Sequence, residues 1–205
     1  MITGPKYKIC KRLGAAVFEQ CHSQRFTVAQ ARQKTARSGG RRPKAATDYK
    51  RQLLEKQKMR YLYGLRERQL SRYVAEAAHA RSEGPARALM TRIESRLDNV
   101  VYRLGFAKTR ALARQLVSHG HIVVDGKKVT VPSYRLAPGE AVAVRPQSAD
   151  LALFATARED AGETPMPAWL EVDRAALAGH LTAVPLLGAD ELLFDLEQVL
   201  EYYSR

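Results

Sequence analysis

Basic and polar side chains recur at helical spacing just before a strand-like segment in the second half of the chain. Arg110 and Arg114 are four residues apart, and so are Gln115 and His119, so each pair lies on one flank of a helix. The planar guanidinium group of arginine can donate two parallel hydrogen bonds to one phosphate. We therefore predict that this helix contacts the phosphates and sugars of a nucleic acid. The candidate contact surface consists of Arg110, Arg114, Gln115, Ser118 and His119.

Two simpler interpretations of this helix remain open. The polar residues could form an ordinary solvated face, and His119 could cap the helix C-terminus and interact with its dipole. Local signals bound the helix in either case, because Thr109 is placed as an N-cap and Gly120 follows the C-terminus. Asp125-Gly126 then predicts a hairpin turn between two apolar strands. These elements would place the basic flank on a small folded unit.

The charge of the chain is large and unevenly distributed. The 205 residues carry a formal net charge of +13 and have a pI near 10.0. Residues 1–72 hold 19 Lys and Arg against 4 Asp and Glu, residues 73–145 hold 12 against 6, and residues 146–205 hold 3 against 11. The N-terminal part is therefore suited to a polyanion such as RNA. The acidic C-terminal part could face basic protein neighbours or solvent.

Helical periodicity predicts the remaining elements. Residues 1–46 are basic, rich in glycine and poor in apolar periodicity, so we predict an extended arm with a short helix around 12–21. Thr47 is a plausible N-cap for a helix to about Tyr63, and a second helix follows to about Ala80. Three further segments are expected: a helix over 86–104, a polar loop over 146–166, and an apolar-striped final helix over 190–203 with Asp190 as N-cap.

Four segments of the chain resemble one known family, in that family's order. Residues 92–145 closely resemble the small RNA-binding module named after ribosomal protein S4. The segment TDYKRQLLEKQKMRYLYGLRERQ (47–69) is similar to the helical segment before the module in bacterial S4 proteins. PAWLEVD (167–173) and EYYSR (201–205) resemble the C-terminal signatures of the same proteins. The chain is accordingly identified as a member of the bacterial-type S4 family.

The resemblance implies an α+β fold with three parts. A basic N-terminal arm would span 1–46, and a helical rRNA-binding domain would span 47–91, with the C-terminal helix 190–205 packed back onto it. An S4-type module with a C-terminal extension would span 92–189, built from two helices on a short, mostly antiparallel sheet. Besides the five residues named above, the RNA-binding residues would be Lys6, Lys8, Lys11, Arg12, Arg41, Arg42, Lys44, Tyr49, Lys50, Lys56, Lys58, Arg60, Arg66, Arg68, Arg96 and Arg103.

The resemblance also implies a function. The protein would be a structural constituent of the small ribosomal subunit that binds small-subunit rRNA at a multi-helix junction and nucleates assembly. It would support translational accuracy and lie near the channel through which mRNA enters, with Arg41, Arg42 and Lys44 helping to unwind the message. It would contact the neighbouring protein S5. Some family members repress translation of their own operon, and the resemblance leaves this trait open here.

Two other function classes are compatible with parts of the sequence. Arg96-Leu97-Asp98 resembles the catalytic triplet of pseudouridine synthases, some of which carry the same module. The triplet lies inside the module's own first helix, however, and the chain is too short for a separate catalytic domain, so we predict that the protein is not an enzyme. A free RNA chaperone with this module is the other alternative, and the segments 47–69 and 201–205 favour the ribosomal protein over it.

Neither a cofactor nor a membrane span is expected from the sequence. Some S4 proteins hold zinc through four cysteines in the N-terminal arm, whereas this chain has only Cys10 and Cys21, with His22 beside the second. A structural zinc site needs four ligands, so we expect no metal. No run of about 18 apolar residues and no apolar signal core is present. We expect a cytoplasmic protein on the ribosome.

Overall fold

The computed structural model describes residues 4–38, 47–80, 84–159, 166–186, 188 and 192–204. The chain forms two compact units. Met1–Arg81 and Gly188–Arg205 form one, here called the helical unit, and Ser82–Leu187 form the other, here called the module. The module therefore begins ten residues before the predicted boundary at 92. None of the helices in the described ranges has the length and apolar character needed to cross a bilayer.

The N-terminal part of the helical unit is folded rather than extended. It contains helix α1 (Lys6–Leu13), a 3-10 helix (Glu19–His22) and helix α2 (Gln24–Ser38). Six side chains form a small core between them: Cys10, Leu13, Val17, Phe18, Cys21 and Phe26. The predicted extended conformation is thus wrong for residues 4–38. The apolar residues of this segment share no single period, because α1 ends at Gly14, where φ is 69°. The next buried residues lie in the turn that follows.

The rest of the helical unit is built on the basic segment that begins at Thr47. Helix α3 (Asp48–Leu62) starts where predicted, since the Thr47 side chain accepts a hydrogen bond from the Lys50 amide. Helix α4 (Glu67–Ala78) follows, and helix α9 (Leu196–Tyr203) packs against α3. The final helix begins at Leu196, where Asp195 caps it through the amides of Glu197 and Gln198, and the predicted cap Asp190 lies outside the described residues.

The module opens with two helices where one was predicted. Helix α5 (Pro85–Glu94) ends before Arg96, whose extended backbone pairs with Arg135 in an isolated bridge. Helix α6 (Leu97–Arg103) then starts in a new direction, and helix α7 (Arg110–Ser118) follows with the predicted cap, in which Thr109 accepts from the Leu112 amide. Pairing with a distant segment outweighs the local helical periodicity at this break.

Five antiparallel strands lie in the described part of the module. They are β1 (Ile122–Val124), β2 (Lys127–Lys128), β3 (Ala141–Val144), β4 (Leu170–Asp173) and β5 (Ala178–Leu181), in the order β2-β1-β3-β5-β4. Asp125 and Gly126 form the predicted hairpin turn with φ values of 47° and 75°. One stretch of the predicted polar loop is instead helix α8 (Ala152–Glu159), which buries Phe154 completely. The α+β fold class is confirmed.

Candidate nucleic-acid interface

Many of the predicted RNA-binding side chains of the helical unit lie on its surface. The exposed ones come from α1, α3 and the start of α4: Lys6, Lys8, Lys11, Arg12, Tyr49, Lys50, Arg66 and Arg68. Lys58 and Arg60 are partly buried, and each forms an ion pair, with Glu55 at 2.6 Å and with Glu67 at 3.5 Å. Arg41, Arg42 and Lys44 lie outside the described residues. The accessible positive charge therefore spans several helices.

Lys56 is not accessible to RNA in this structure, contrary to its predicted contact. Its side chain is 5% exposed, and its Nζ donates to Glu67 Oε1 at 2.7 Å. The ammonium group also lies 4.5 Å from the ring centre of Tyr202 and 5.8 Å from that of Tyr203. Lys56 thus joins α3, the start of α4 and the final helix, and acts in the fold.

These contacts also shift the pKa of Glu67, the carboxylate that accepts from Lys56. Burial raises the pKa of Glu67, but hydrogen bonds from Lys56 and Tyr203 outweigh it and leave the pKa below its ordinary value. Burial and the hydrogen bond to Glu67 raise the pKa of Tyr203 far above its usual range. At neutral pH the cluster therefore holds an ionised Glu67 between a cation and a neutral phenol, which stabilises the docked α9.

Cys10 and Cys21 are close together in the core of the helical unit. Both are free and fully buried. Burial, followed by the hydrogen bond and charge interaction with Cys10, raises the pKa of Cys21 to about 12, so this thiol is protonated at neutral pH. His22, next along the chain, is exposed. Among the residues that the structure describes, no group of three or more His, Cys, Asp or Glu side chains could hold a metal ion.

The predicted contact surface of the module follows one flank of α7. Three of its residues are exposed: Gln115, Ser118 and His119. Arg110 and Arg114 are partly buried, and each is bonded to a residue that lies beneath it. Arg114 Nη2 lies 2.7 Å from Asp98 Oδ2, and Arg110 Nε donates to Asn99 Oδ1 at 3.1 Å. The two arginines therefore belong both to the surface and to the fold.

Arg96 and Arg103 are bound to acidic residues of the module. Arg96 is 2% exposed and is paired with Asp98 at 2.7 Å, so its burial argues against the predicted RNA contact. The extended backbone at the break between α5 and α6 directs this side chain inwards. Arg103 keeps 20% of its side chain exposed and is paired with the fully buried Glu94 at 3.0 Å. Of the two, only Arg103 can reach a ligand.

Sequence reasoning missed a concentration of basic side chains at the C-terminal end of α7. The rings of His119 and His121 are 6.1 Å apart, and His121 Nδ1 lies 3.0 Å from Ser148 Oγ. Burial lowers the pKa of His121, and the nearby His119, Arg145 and Lys128 lower it further. The lowered pKa favours a neutral His121, so Lys128 and Arg145 supply the positive charge that suits a phosphate. The Lys-Lys pair after the predicted hairpin turn was the one signal for Lys128 in the sequence.

Gly120 ends α7 beside this group. Its φ of 76° is the left-handed conformation that glycine favours, and a Cβ there would meet Lys128 Cε, so the end of the lysine side chain would have to move. The chain therefore turns out of α7 with the stem of Lys128 lying directly across the turn. The turn and the basic hairpin are packed as one surface.

Two basic units with exposed cations, one of them a small sheet carrying a basic helix, define a structural RNA-binding protein. Comparison with known families agrees with this class. The family described as "Ribosomal protein S4/S9 N-terminal domain" matches residues 1–94, and that described as "S4 domain" matches residues 95–142. The chain belongs to the bacterial-type family of small ribosomal subunit protein S4.

Similar proteins extend over almost the full chain. The small ribosomal subunit protein uS4 of Persephonella marina is 42% identical over 206 residues, covering 98% of this chain and 97% of the relative. That of Chloroflexus aurantiacus is 41% identical over 204 residues, with 98% of each chain covered. That of Thermotoga maritima is 41% identical over 207 residues, covering 99% and 98%. As a family member, this protein is a structural, rRNA-binding component of the small ribosomal subunit and not an enzyme, and it is located on the cytoplasmic ribosome.

Proposed function

We propose that the protein grips a multi-helix junction of small-subunit rRNA with both of its units and thereby nucleates assembly of the subunit. The observation that supports this most is the spread of accessible cations over two separately folded units. Exposed cations lie on α1, α3 and the start of α4 in one unit, and the partly buried Arg110 and Arg114 lie on α7 in the other. Each unit would release counterions from the RNA helix that it contacts. Binding by both would fix the arrangement of those RNA helices, which is what an early assembly protein must do.

Hydroxyl-radical footprinting of small-subunit rRNA tests the two-unit grip. The Lys8→Ala/Lys11→Ala variant alters the helical unit and Arg110→Ala/His119→Ala alters the module. We expect each variant to lose protection at a different set of nucleotides, because each removes phosphate contacts from one unit only. Asp173→Asn, an exposed change on β4, serves as the control with full protection. Loss of the same nucleotides in both variants would contradict the proposal.

We further propose that Arg41, Arg42 and Lys44 meet mRNA where it enters the subunit and help to unwind it. The support is the dense positive charge around Pro43, in a stretch with no apolar face, together with the family resemblance. The family resemblance also supports contacts with protein S5 and a contribution to translational accuracy. It is the sole support for repression of the protein's own operon.

Replacing Arg41, Arg42 and Lys44 together with alanine should slow translation through a stable mRNA hairpin more than translation of an unstructured message. The cluster would act on the paired strands, whereas assembly would depend on the rRNA contacts of the two units. Reconstituted subunits carrying the variant are assayed on both messages, and Lys8→Ala/Lys11→Ala/Arg12→Ala subunits, which also lose three positive charges, are the control. Equal slowing on both messages rules out the unwinding role, and failure to assemble assigns the cluster to rRNA.

A further inference from the structure

A group of buried polar side chains lies directly beneath the arginines of the module. Glu94, Asp98 and Asn99 are 0%, 4% and 3% exposed, respectively. They come from the end of α5 and the first turn of α6. Buried carboxylates are costly unless they are paired, so each must be bound by donors from its surroundings. The donors here are arginines that also extend towards the surface.

Asp98 joins a buried arginine to a partly exposed one. Its Oδ1 accepts from Arg96 Nε at 3.0 Å, and its Oδ2 accepts from Arg96 Nη2 at 2.7 Å. The same Oδ2 accepts from Arg114 Nε at 2.9 Å and from Arg114 Nη2 at 2.7 Å. The Arg114 side chain is 34% exposed, against 3% for Arg96. Asp98 therefore holds the inner edge of the Arg114 guanidinium while its remainder stays within reach of a ligand.

Glu94 and Asn99 do the same for two further arginines. Glu94 accepts from Arg103 Nε at 3.1 Å and Nη2 at 3.0 Å, and its Oε2 also accepts from Asn99 Nδ2 at 2.7 Å. With its amide thus oriented, Asn99 presents Oδ1 to Arg110 Nε at 3.1 Å. The Arg110 guanidinium lies 4.2 Å from the ring centre of Tyr102. Two sides of this guanidinium are fixed by the module itself.

Arginines outnumber carboxylates among the described residues of this network. Four arginines bind two carboxylates and one amide. Arginine is a long and flexible side chain, and ordering it on a ligand opposes binding. Guanidinium groups that are oriented before binding avoid that cost and offer phosphate a preformed arrangement of donors.

We propose that Asp98, Glu94 and Asn99 are positioning residues for rRNA binding. They hold Arg114, Arg103 and Arg110 in the orientation that receives phosphates, so acidic residues of the protein increase its affinity for an acidic ligand. This inference rests on the proposed contact between the α7 face and rRNA. It assigns to the Arg96-Leu97-Asp98 triplet a role in RNA binding through Arg114.

Asp98→Asn separates positioning from simple charge. The change keeps the shape of the side chain and removes one negative charge from beneath the surface that faces RNA. If charge alone mattered, affinity for rRNA would rise. Positioning instead requires affinity to fall by about three- to tenfold, the factor expected when one long side chain must be ordered on binding. Asp173→Asn, which removes an equal charge from the exposed β4, controls for the charge effect.

A double-mutant cycle tests whether Asp98 acts through Arg114. Filter binding of the full-length protein to a small-subunit rRNA fragment is measured for the parent chain, Asp98→Asn, Arg114→Ala and the double variant. We expect Asp98→Asn to weaken binding in the parent and to cause no further loss in the Arg114→Ala background. Equal or tighter binding by Asp98→Asn overturns the proposal, as does an equal loss in both backgrounds.

A second double-mutant cycle tests the proposal if Asp98→Asn does not fold. Asp98 also binds the buried Arg96, so folding of each variant is checked by near-ultraviolet circular dichroism before binding is measured. If Asp98→Asn does not fold, the uncharged pair Asn99→Ala and Arg110→Ala decides by the same criteria. If neither Arg110→Ala nor Arg114→Ala weakens binding, the contact of α7 with rRNA fails and the positioning role fails with it. If the arginine variants weaken rRNA binding but Asp98→Asn and Asn99→Ala do not, only the positioning role is overturned.

Discussion

Affinity for a small-subunit rRNA fragment should fall by about a thousandfold or more when monovalent salt is raised from about 50 to about 200 mM. Seven of the predicted RNA-binding cations are exposed on the described part of the helical unit, and these, with the α7 face in the module, are placed to neutralise phosphates. Each phosphate neutralised on duplex RNA releases condensed counterions and lowers the slope of log affinity against log salt by about 0.9. Filter binding over a salt series gives this slope directly.

The salt series has a matched control within α1. Lys8→Ala/Lys11→Ala should make the slope shallower by about two, because each lysine accounts for about one phosphate contact. Lys8 and Lys11 are exposed, so the fold should be retained. A flat series for the parent chain would rule out an electrostatic grip. An unchanged slope in the variant would place the RNA contacts of the helical unit elsewhere.

Lys56→Ala should lower the free energy of unfolding of the helical unit by about 2–3 kcal/mol. The change removes a cation that is 5% exposed and that bonds Glu67 beneath the rings of Tyr202 and Tyr203. The expected cost is below the roughly 3–5 kcal/mol of a fully buried pair, because the Glu67 side chain remains 43% exposed and can be solvated. Urea unfolding followed by far-ultraviolet circular dichroism measures the difference.

Lys50→Ala is the control for this experiment, since Lys50 is an exposed lysine on the same helix. It should leave stability nearly unchanged and weaken rRNA binding. Lys56→Ala should do the reverse when binding is measured at a temperature at which the variant is folded. If Lys56→Ala leaves stability intact and weakens binding instead, its side chain must leave the Tyr202 and Tyr203 rings to reach RNA.

The sequence predicted those parts of the structure that local chemistry decides. Thr47 and Thr109 act as the N-caps that their type and place indicated, and Asp125-Gly126 forms the expected turn. Each depends on hydrogen bonds or backbone angles within a few residues. The basic flank of α7 was found for the same reason, because side chains four apart on a helix lie on one side whatever packs beneath them.

Features decided by distant partners were not predictable from local patterns. The helix expected over 86–104 breaks at Arg96 because the Arg96 backbone pairs with Arg135. The segment predicted as a loop contains α8, in which Phe154 is buried. The local sequence around Lys56 does not indicate that residues far along the chain bury its side chain. It therefore predicts an RNA contact that the structure does not support. The bonds from Glu94, Asp98 and Asn99 to arginines were not predictable from local patterns, because those arginines come from a different helix.

The helical unit is assembled from two stretches of chain that are separated by the whole module. Gln52 Nε2 donates to Glu201 Oε2 at 2.9 Å across 149 residues of sequence. During synthesis, the continuous stretch Ser82–Leu187 is therefore complete while α3 still lacks the helix that covers it. The helical unit can therefore be completed only after the module has been synthesised, although its N-terminal part is made first. Until α9 emerges, Gln52 and Lys56 lack their contacts with Glu201, Tyr202 and Tyr203.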